Sequence, residues 1–181
     1  MLKFGCLPAK MSFVGAQKIH STLYDNIWDF LRGIKMYFDE LRLGMSVETE
    51  PTVIEKEKMV AFAHEYDNIP LHTDEEYAKT TPFGKLIAPG VMSFMSVWAK
   101  YLEADFFGKE LLAGKSTKIE WLKPVYVDDV LSGKAVITNL VKRSERNGLV
   151  EISIDVFNQK GELVLRDVTE AIVKCKPKSN E

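Results

Sequence analysis

Gly90-Val-Met-Ser-Phe-Met-Ser-Val-Trp-Ala-Lys-Tyr-Leu-Glu103 places apolar side chains on nearly every side of a helical wheel: Val91, Met92, Phe94, Met95, Val97, Trp98, Tyr101 and Leu102. A helix without a polar face has to be wrapped on most sides. The apolar run around it, 86–99, is too short to cross a bilayer and holds Pro89-Gly90, so it reads as a buried helix. The residues after Gly114 supply the wrapping. Val150, Ile152, Ile154 and Val156 alternate with Glu151, Ser153 and Asp155, the period of a half-buried strand. Asn147-Gly148 and Asn158-Gln-Lys-Gly161 are hairpin-turn signals. Together they predict strands over 117–127, 130–142, 149–157 and 162–174, an antiparallel meander long enough to curl. The expected class is α+β, with a curved antiparallel sheet wrapped around one long central helix.

Upstream of that helix the pattern is mixed. A short strand or two is expected around 45–55. A helix follows over 57–66, because Met59, Phe62, Ala63 and Tyr66 repeat at i, i+3, i+4, i+7. Asp67-Asn-Ile-Pro-Leu-His72 is irregular, since Pro70 forbids continuing that helix. Thr73-Asp-Glu-Glu76 is a capping-box pattern opening a short helix. The loop 80–88 contains Pro82 and Gly84. Near the start of the chain, Tyr24, Ile27, Trp28, Leu31 and Ile34 share one face of a possible helix over 21–35. The expected organisation is an N-terminal extension (1–36), one main domain (37–176) and a polar tail (177–181).

Composition narrows the function classes. The 181 residues, 46% hydrophobic and 28% charged, suit a single globular domain. Lys and Arg number 24 against 26 Asp and Glu, so no positive excess exists to drive binding to nucleic acid or to an anionic membrane. Cys6 and Cys175 lie at opposite ends and form no C-x-x-C pair, which favours a reduced, cytoplasmic protein over a disulfide scaffold or zinc ribbon. Pro8 and Lys10 interrupt the first ten residues, so no secretory signal is expected.

Three histidines can be weighed one by one. His20 precedes the first helix and reads as a surface or capping residue. His64 falls off the apolar stripe of its helix and reads as exposed. His72 lies on the Pro70 turn, five residues after Asp67. A carboxylate and an imidazole on one rigid turn can hold a water, one accepting its proton while the other orients it. Alternatively, Asp67 caps a turn and His72 makes a structural hydrogen bond. A metal site built from His64, Asp67, His72 and Asp74 matches no established ligand spacing. Gly90-Val-Met-Ser93 is not a G-x-S-x-G elbow, and phosphate-loop and dinucleotide fingerprints are absent. No metal and no cofactor are therefore expected.

Pro89-Gly90 is the other informative pair. The first N–H groups of a helix lack internal partners and carry the positive end of its dipole. Proline suits the first turn, and glycine lets a ligand approach the backbone without meeting a Cβ. The pair makes either a site for a carbonyl oxygen gaining negative charge, or a plain helix start that needs a small residue for packing.

The run Ala61-Phe-Ala-His-Glu-Tyr-Asp-Asn-Ile-Pro-Leu-His-Thr-Asp-Glu-Glu-Tyr-Ala78 resembles the hydratase-2 motif of the MaoC-like dehydratase family, which includes the (R)-specific enoyl-CoA hydratases. The family pattern is Asp-x-Asn-Pro-x-His, followed at a distance by His-Gly opening the central helix. Asp67, Pro70, His72 and Gly90 match it, and Phe83-Gly84, Lys123-Pro124-Val125 and Asp129 also look like family positions. Ile69 stands where the motif has asparagine, and Pro89 where a histidine precedes the glycine. The resemblance runs from about residue 37 to 174. It implies a hot-dog fold, usually paired as a homodimer, and reversible hydration of trans-2-enoyl thioesters to (R)-3-hydroxyacyl thioesters. Asp67 and His72 would activate the water, the Gly90 N–H would bind the thioester oxygen, and Ile69, Val91, Met95 and Trp98 would border the acyl group, carried on CoA or acyl carrier protein. The bulk of Trp98 implies a short or differently routed acyl chain. A hot-dog thioesterase and a non-catalytic acyl-thioester-binding protein are the competing readings.

Overall fold

The computed structural model describes residues 36–105 and 107–178; the expected helix over 21–35, His20 and Cys6 lie outside them. Among the described residues the chain runs β1 (Ser46–Glu48), β2 (Thr52–Val53), α1 (Lys56–Tyr66), α2 (Pro70–Thr73), α3 (Glu75–Lys79), α4 (Gly90–Glu103), β3 (Leu111–Trp121), β4 (Val130–Lys142), β5 (Asn147–Phe157) and β6 (Leu163–Lys174). Short 3₁₀ turns sit at Phe38–Glu40 and Gly108–Glu110.

The period-2 pattern of β5 becomes a two-faced strand. Val150, Ile152, Ile154 and Val156 are at most 1% exposed, and the residues between them are half-buried. All pairings are antiparallel, in the order β1-β4-β5-β6-β3, with β2 also on β4. Register shifts at Ile137/Asn139 in β4 and at Leu111/Ala113 and Gly114/Ser116 in β3 bend the long strands.

β4, β5 and β6 form the expected meander, but β3 departs from it. It begins six residues before the expected 117, ends at Trp121, and pairs with the last strand instead of β4. The segment after it is taken by other work: Pro124 has no N–H, the Val125 carbonyl accepts the Ala88 N–H, and Tyr126 bridges to Ile87. The β4–β5 turn also differs. Ser144 Oγ accepts the N–H groups of Arg146 and Asn147, so the turn forms there, and Asn147-Gly148 begins the next strand. At Asn158–Gly161 the turn is as expected, with Gly161 at φ +74°.

Helix α4 spans the predicted residues and turns Met92, Ser93, Phe94, Val97 and Tyr101 inward. A Cβ on Gly133 of β4 would lie 2.5 Å from Val97 Cγ1, so this glycine lets helix and sheet approach closely. The helix is not wrapped all round: Val91, Met95 and Leu102 are 46–48% exposed. One sheet covers only one side of a cylinder, and β3 is an open edge. In α1, Met59 and Ala63 are buried as expected and His64 is exposed, but Tyr66, at the end of the stripe, is 68% exposed because the helix stops there. No described helix is long and apolar enough to cross a membrane.

Asp167 is the polar exception in the core. It lies on β6 between Ile154 and Ile119, fully buried, with Oδ2 accepting from Thr169 Oγ1 and Oδ1 meeting no donor among the described residues. Burial pushes its pKa up to about 6, with the Thr169 hydroxyl pulling the other way. An acid raised in the folded state is held neutral there while the unfolded chain ionises near pH 4, so stability falls as pH rises from about 4 to 6 and stays lower above. Asp167→Asn is expected to remove that slope. Between pH 4 and pH 8 the variant should gain on the order of 2 kcal/mol relative to the parent, measured by urea melts at both pH values.

Candidate active site

Local chain chemistry sets the Asp67–His72 turn. Asp67 ends α1, its N–H still donating to the Ala63 carbonyl at 2.9 Å. Pro70 does not merely stop that helix; it occupies the first position of α2, where its missing N–H costs nothing. The Ile69 carbonyl then accepts the His72 N–H (3.0 Å) and the Thr73 hydroxyl (3.2 Å). Thr73 is therefore not the cap of the next helix. Asp74 is, accepting the N–H groups of Glu76 and Tyr77, because a carboxylate one residue closer reaches both donors.

The result is a buried imidazole facing a half-exposed carboxylate. His72 is 5% exposed, and its Nδ1 lies 2.7 Å from the Ile87 carbonyl oxygen. A carbonyl only accepts, so Nδ1 carries a proton, and in the neutral ring Nε2 presents a lone pair. Nε2 faces Asp67 Oδ2 at 3.5 Å. That distance is too long for a good direct hydrogen bond, and both atoms are acceptors, so the pair suits one water donating an O–H to each. Of the two sequence alternatives for His72, the structural hydrogen bond is present at Nδ1, and Nε2 is turned toward Asp67.

Ile87 joins this turn to the central helix. It bridges to Tyr126, and the adjacent Ala88 N–H donates to Val125 at 2.7 Å. The 125–129 loop is in turn held by buried Asp129, whose Oδ2 accepts the Tyr126 N–H and whose Oδ1 accepts from Gln159. Gly90 opens α4 three residues after Ile87, with Pro89 as its N-cap. The indole of Trp121, at the end of β3, occupies the space where a Gly90 side chain would be: a Cβ there would lie 2.4 Å from Nε1.

The remaining candidates divide. Ile69 is exposed on the Asp67–His72 turn, and Asn68 points away, its Oδ1 3.3 Å from His64 Nδ1. Val91 and Met95 lie one turn apart on the open side of α4. Trp98 is half-buried in an aromatic row, with ring centroids 5.7 Å from Phe94 and 5.2 Å from Tyr101. Among the described residues no group of three or more His, Cys, Asp or Glu converges as a metal site. Two contributors were invisible in the sequence. The Ile87 carbonyl is backbone and carries no side-chain signal, and Trp121 is brought to Gly90 only by the β3–β6 pairing.

A curved antiparallel sheet around one central helix is the hot-dog arrangement. Residues 39–159 match the MaoC like domain, and the chain belongs to that family. It is 29% identical over 142 residues to the uncharacterized protein YdeM of Bacillus subtilis (strain 168), covering 77% of this chain and 99% of YdeM. Among solved structures, a monoamine oxidase regulatory protein from Archaeoglobus fulgius superposes with TM-score 0.75 at 29% identity, over 79% of this chain and 97% of that one. The R-hydratase PhaJ1 from Pseudomonas aeruginosa superposes with TM-score 0.63 at 25% identity, over 79% and 88%.

The Gly90–Trp121 contact yields a coupling test. Gly90→Ala is expected to cost about 1–2 kcal/mol in the parent, because the new methyl displaces the indole. In a Trp121→Ala background the same substitution should cost close to nothing, giving a measurable coupling in thermal melts.

Proposed function

We propose that this protein reversibly adds water across trans-2-enoyl thioesters, giving (R)-3-hydroxyacyl thioesters. Membership of the MaoC-like family and the likeness to an R-hydratase support hydration and dehydration of acyl thioesters as the class of reaction. The observation that carries the finer reading is the fixed tautomer of His72, with its Nε2 lone pair opposite Asp67.

A water between the two groups directs one O–H at Nε2 and the other at the Asp67 carboxylate. As its oxygen bonds to C3, Nε2 takes the proton, and the neighbouring carboxylate stabilises the imidazolium. The C2–C3 π pair moves toward the thioester, whose oxygen gains negative charge beside the Gly90 N–H. The pair returns a proton to C2, so one water is added across the double bond. Ile69, Val91, Met95 and Trp98 border the acyl group, whose apolar carbons need a dry wall. CoA and acyl carrier protein both present such a thioester. A second copy of the chain completes the reading: the open edge of β3, with Leu112 and Trp121 exposed, and the uncovered Val91–Met95 side of α4 are surfaces a homodimer would bury.

Crotonyl-CoA tests this directly, by loss of enoyl absorbance alongside an assay for free thiol. Hydration consumes the double bond without releasing thiol, a thioesterase releases thiol, and a binding protein does neither. Asp67→Asn and His72→Gln should each lower the hydration rate by roughly 10²–10⁴-fold while the protein stays folded. Wild-type rates in both variants would overturn the assignment.

A further inference from the structure

We infer that Asp129 and Gln159 are positioning residues for the hydration step: they hold the 125–129 loop so that the Ile87 carbonyl fixes the orientation and tautomer of the His72 imidazole. The inference rests on the hydration reading above and extends it to two side chains outside both the Asp67–His72 turn and the central helix.

The path between them and the imidazole is continuous. Gln159 lies on the exposed turn after β5, yet its side chain bonds in two directions. Its Oε1 accepts the Val130 N–H at 3.1 Å, and its Nε2 donates to Asp129 Oδ1 at 2.8 Å. A backbone N–H only donates and a carboxylate only accepts, so one orientation of the amide satisfies both partners. Asp129 is 8% exposed, and its other oxygen accepts the Tyr126 N–H at 2.8 Å. Tyr126 bridges to Ile87, and the Val125 carbonyl accepts the Ala88 N–H at 2.7 Å. The Ile87 carbonyl then accepts from His72 Nδ1 at 2.7 Å.

The carboxylate is needed because the loop does not keep this shape by local preference. Asp128 sits at φ +65°, a left-handed conformation that a non-glycine residue keeps where its surroundings over-determine it. Ile54, between β2 and α1, restrains one end of the loop: its N–H donates to the Asp129 carbonyl and its carbonyl accepts the Asp128 N–H, both at 2.9 Å. The Asp129 side chain ties that end to Tyr126, beside a longer bond of 3.2 Å from the Asp129 N–H to the Tyr126 carbonyl. A charged acceptor makes the stronger bond of the two. The imidazole has little tolerance for a shift in this support. Its Nε2 stands 3.5 Å from Asp67 Oδ2, and a displacement of about 1 Å at a reacting centre costs on the order of 100-fold in rate.

An exchange of polarity tests the assignment. Asp129→Asn alone leaves one donor facing another, and Gln159→Glu alone sets two carboxylates against each other. Combined, they restore every bond with the roles reversed. The new amide at 129 accepts from Tyr126 and donates to the new carboxylate at 159, which accepts from Val130. With crotonyl-CoA, each single substitution should lower kcat roughly 10- to 100-fold while KM changes less than about threefold, and the double variant should return to within about threefold of the parent. Nitrogen-15 spectra of histidine-labelled protein read the tautomer without turnover, the His72 ring signals being those lost in His72→Gln. At about pH 8, where an ordinary imidazole is neutral, the parent and the double variant should show the proton held on Nδ1, and each single variant an average of two tautomers. Gln159→Met, which drops both side-chain bonds on an exposed turn, serves if a single variant folds poorly, with the same two losses expected. Unchanged kcat in the single variants, or slow variants whose His72 proton stays on Nδ1, would reduce Asp129 and Gln159 to supports of the fold. If the parent itself does not hydrate crotonyl-CoA, the hydration reading fails by itself, and the nitrogen spectra still decide whether the two side chains hold the imidazole.

Discussion

The hydrogen bond from His72 Nδ1 to the Ile87 carbonyl, 2.7 Å long, is the constraint on which the site depends. It sets the protonation pattern of the imidazole and ties the Asp67–His72 turn to the segment that launches the central helix. Without it the lone pair on Nε2 would have no fixed place, and a free imidazole ring would sample both tautomers. With it, an imidazole, a carboxylate and the positive end of a helix are assembled from two stretches of chain, 67–72 and 87–90.

Support for that bond comes from farther away. Ile87 and Ala88 are held by Val125 and Tyr126, and those residues are positioned by the Asp129 carboxylate and, through it, by Gln159 beyond β5. Each link is a hydrogen bond to a buried or half-buried group, where a lost partner is costly. The sheet contributes by burying one face of the central helix at Gly133 and by carrying Trp121 to its tip. The stripe of Val91, Met95 and Leu102 stays uncovered, so the open side of the central helix coincides with the side on which the acyl group is expected.

Much of this was legible in the residues. The bounds of the central helix, the two-faced strand over 149–157 and the turn at Gly161 each followed from a local period or a backbone requirement, and a local cause leaves a local trace. Departures occurred where two local signals competed. Thr73 was read as the cap, but the Asp74 carboxylate, nearer the next helix, takes that role. Asn147-Gly148 was read as the turn, but the Ser144 hydroxyl captures the N–H groups of Arg146 and Asn147 just before it. Pro70 was legible as an interruption but not as the start of a new helical turn. The burial of α4 was overestimated because apolarity on all sides does not say which partner covers each side.

By itself the sequence determined most of the elements and the α+β class, and it singled out Asp67, His72 and Gly90 as candidates, because periodicity, caps and motif spacing act over a few residues. Tertiary structure alone decided that β3 pairs with β6, that Ile87 supplies the acceptor for His72, that Asp167 is buried with one oxygen unmet, and that an indole lies against Gly90. Those outcomes join residues between 15 and 62 positions apart in the chain. Long-range pairing is chosen by the total packing of the sheet around the helix, and no short window of sequence contains that sum.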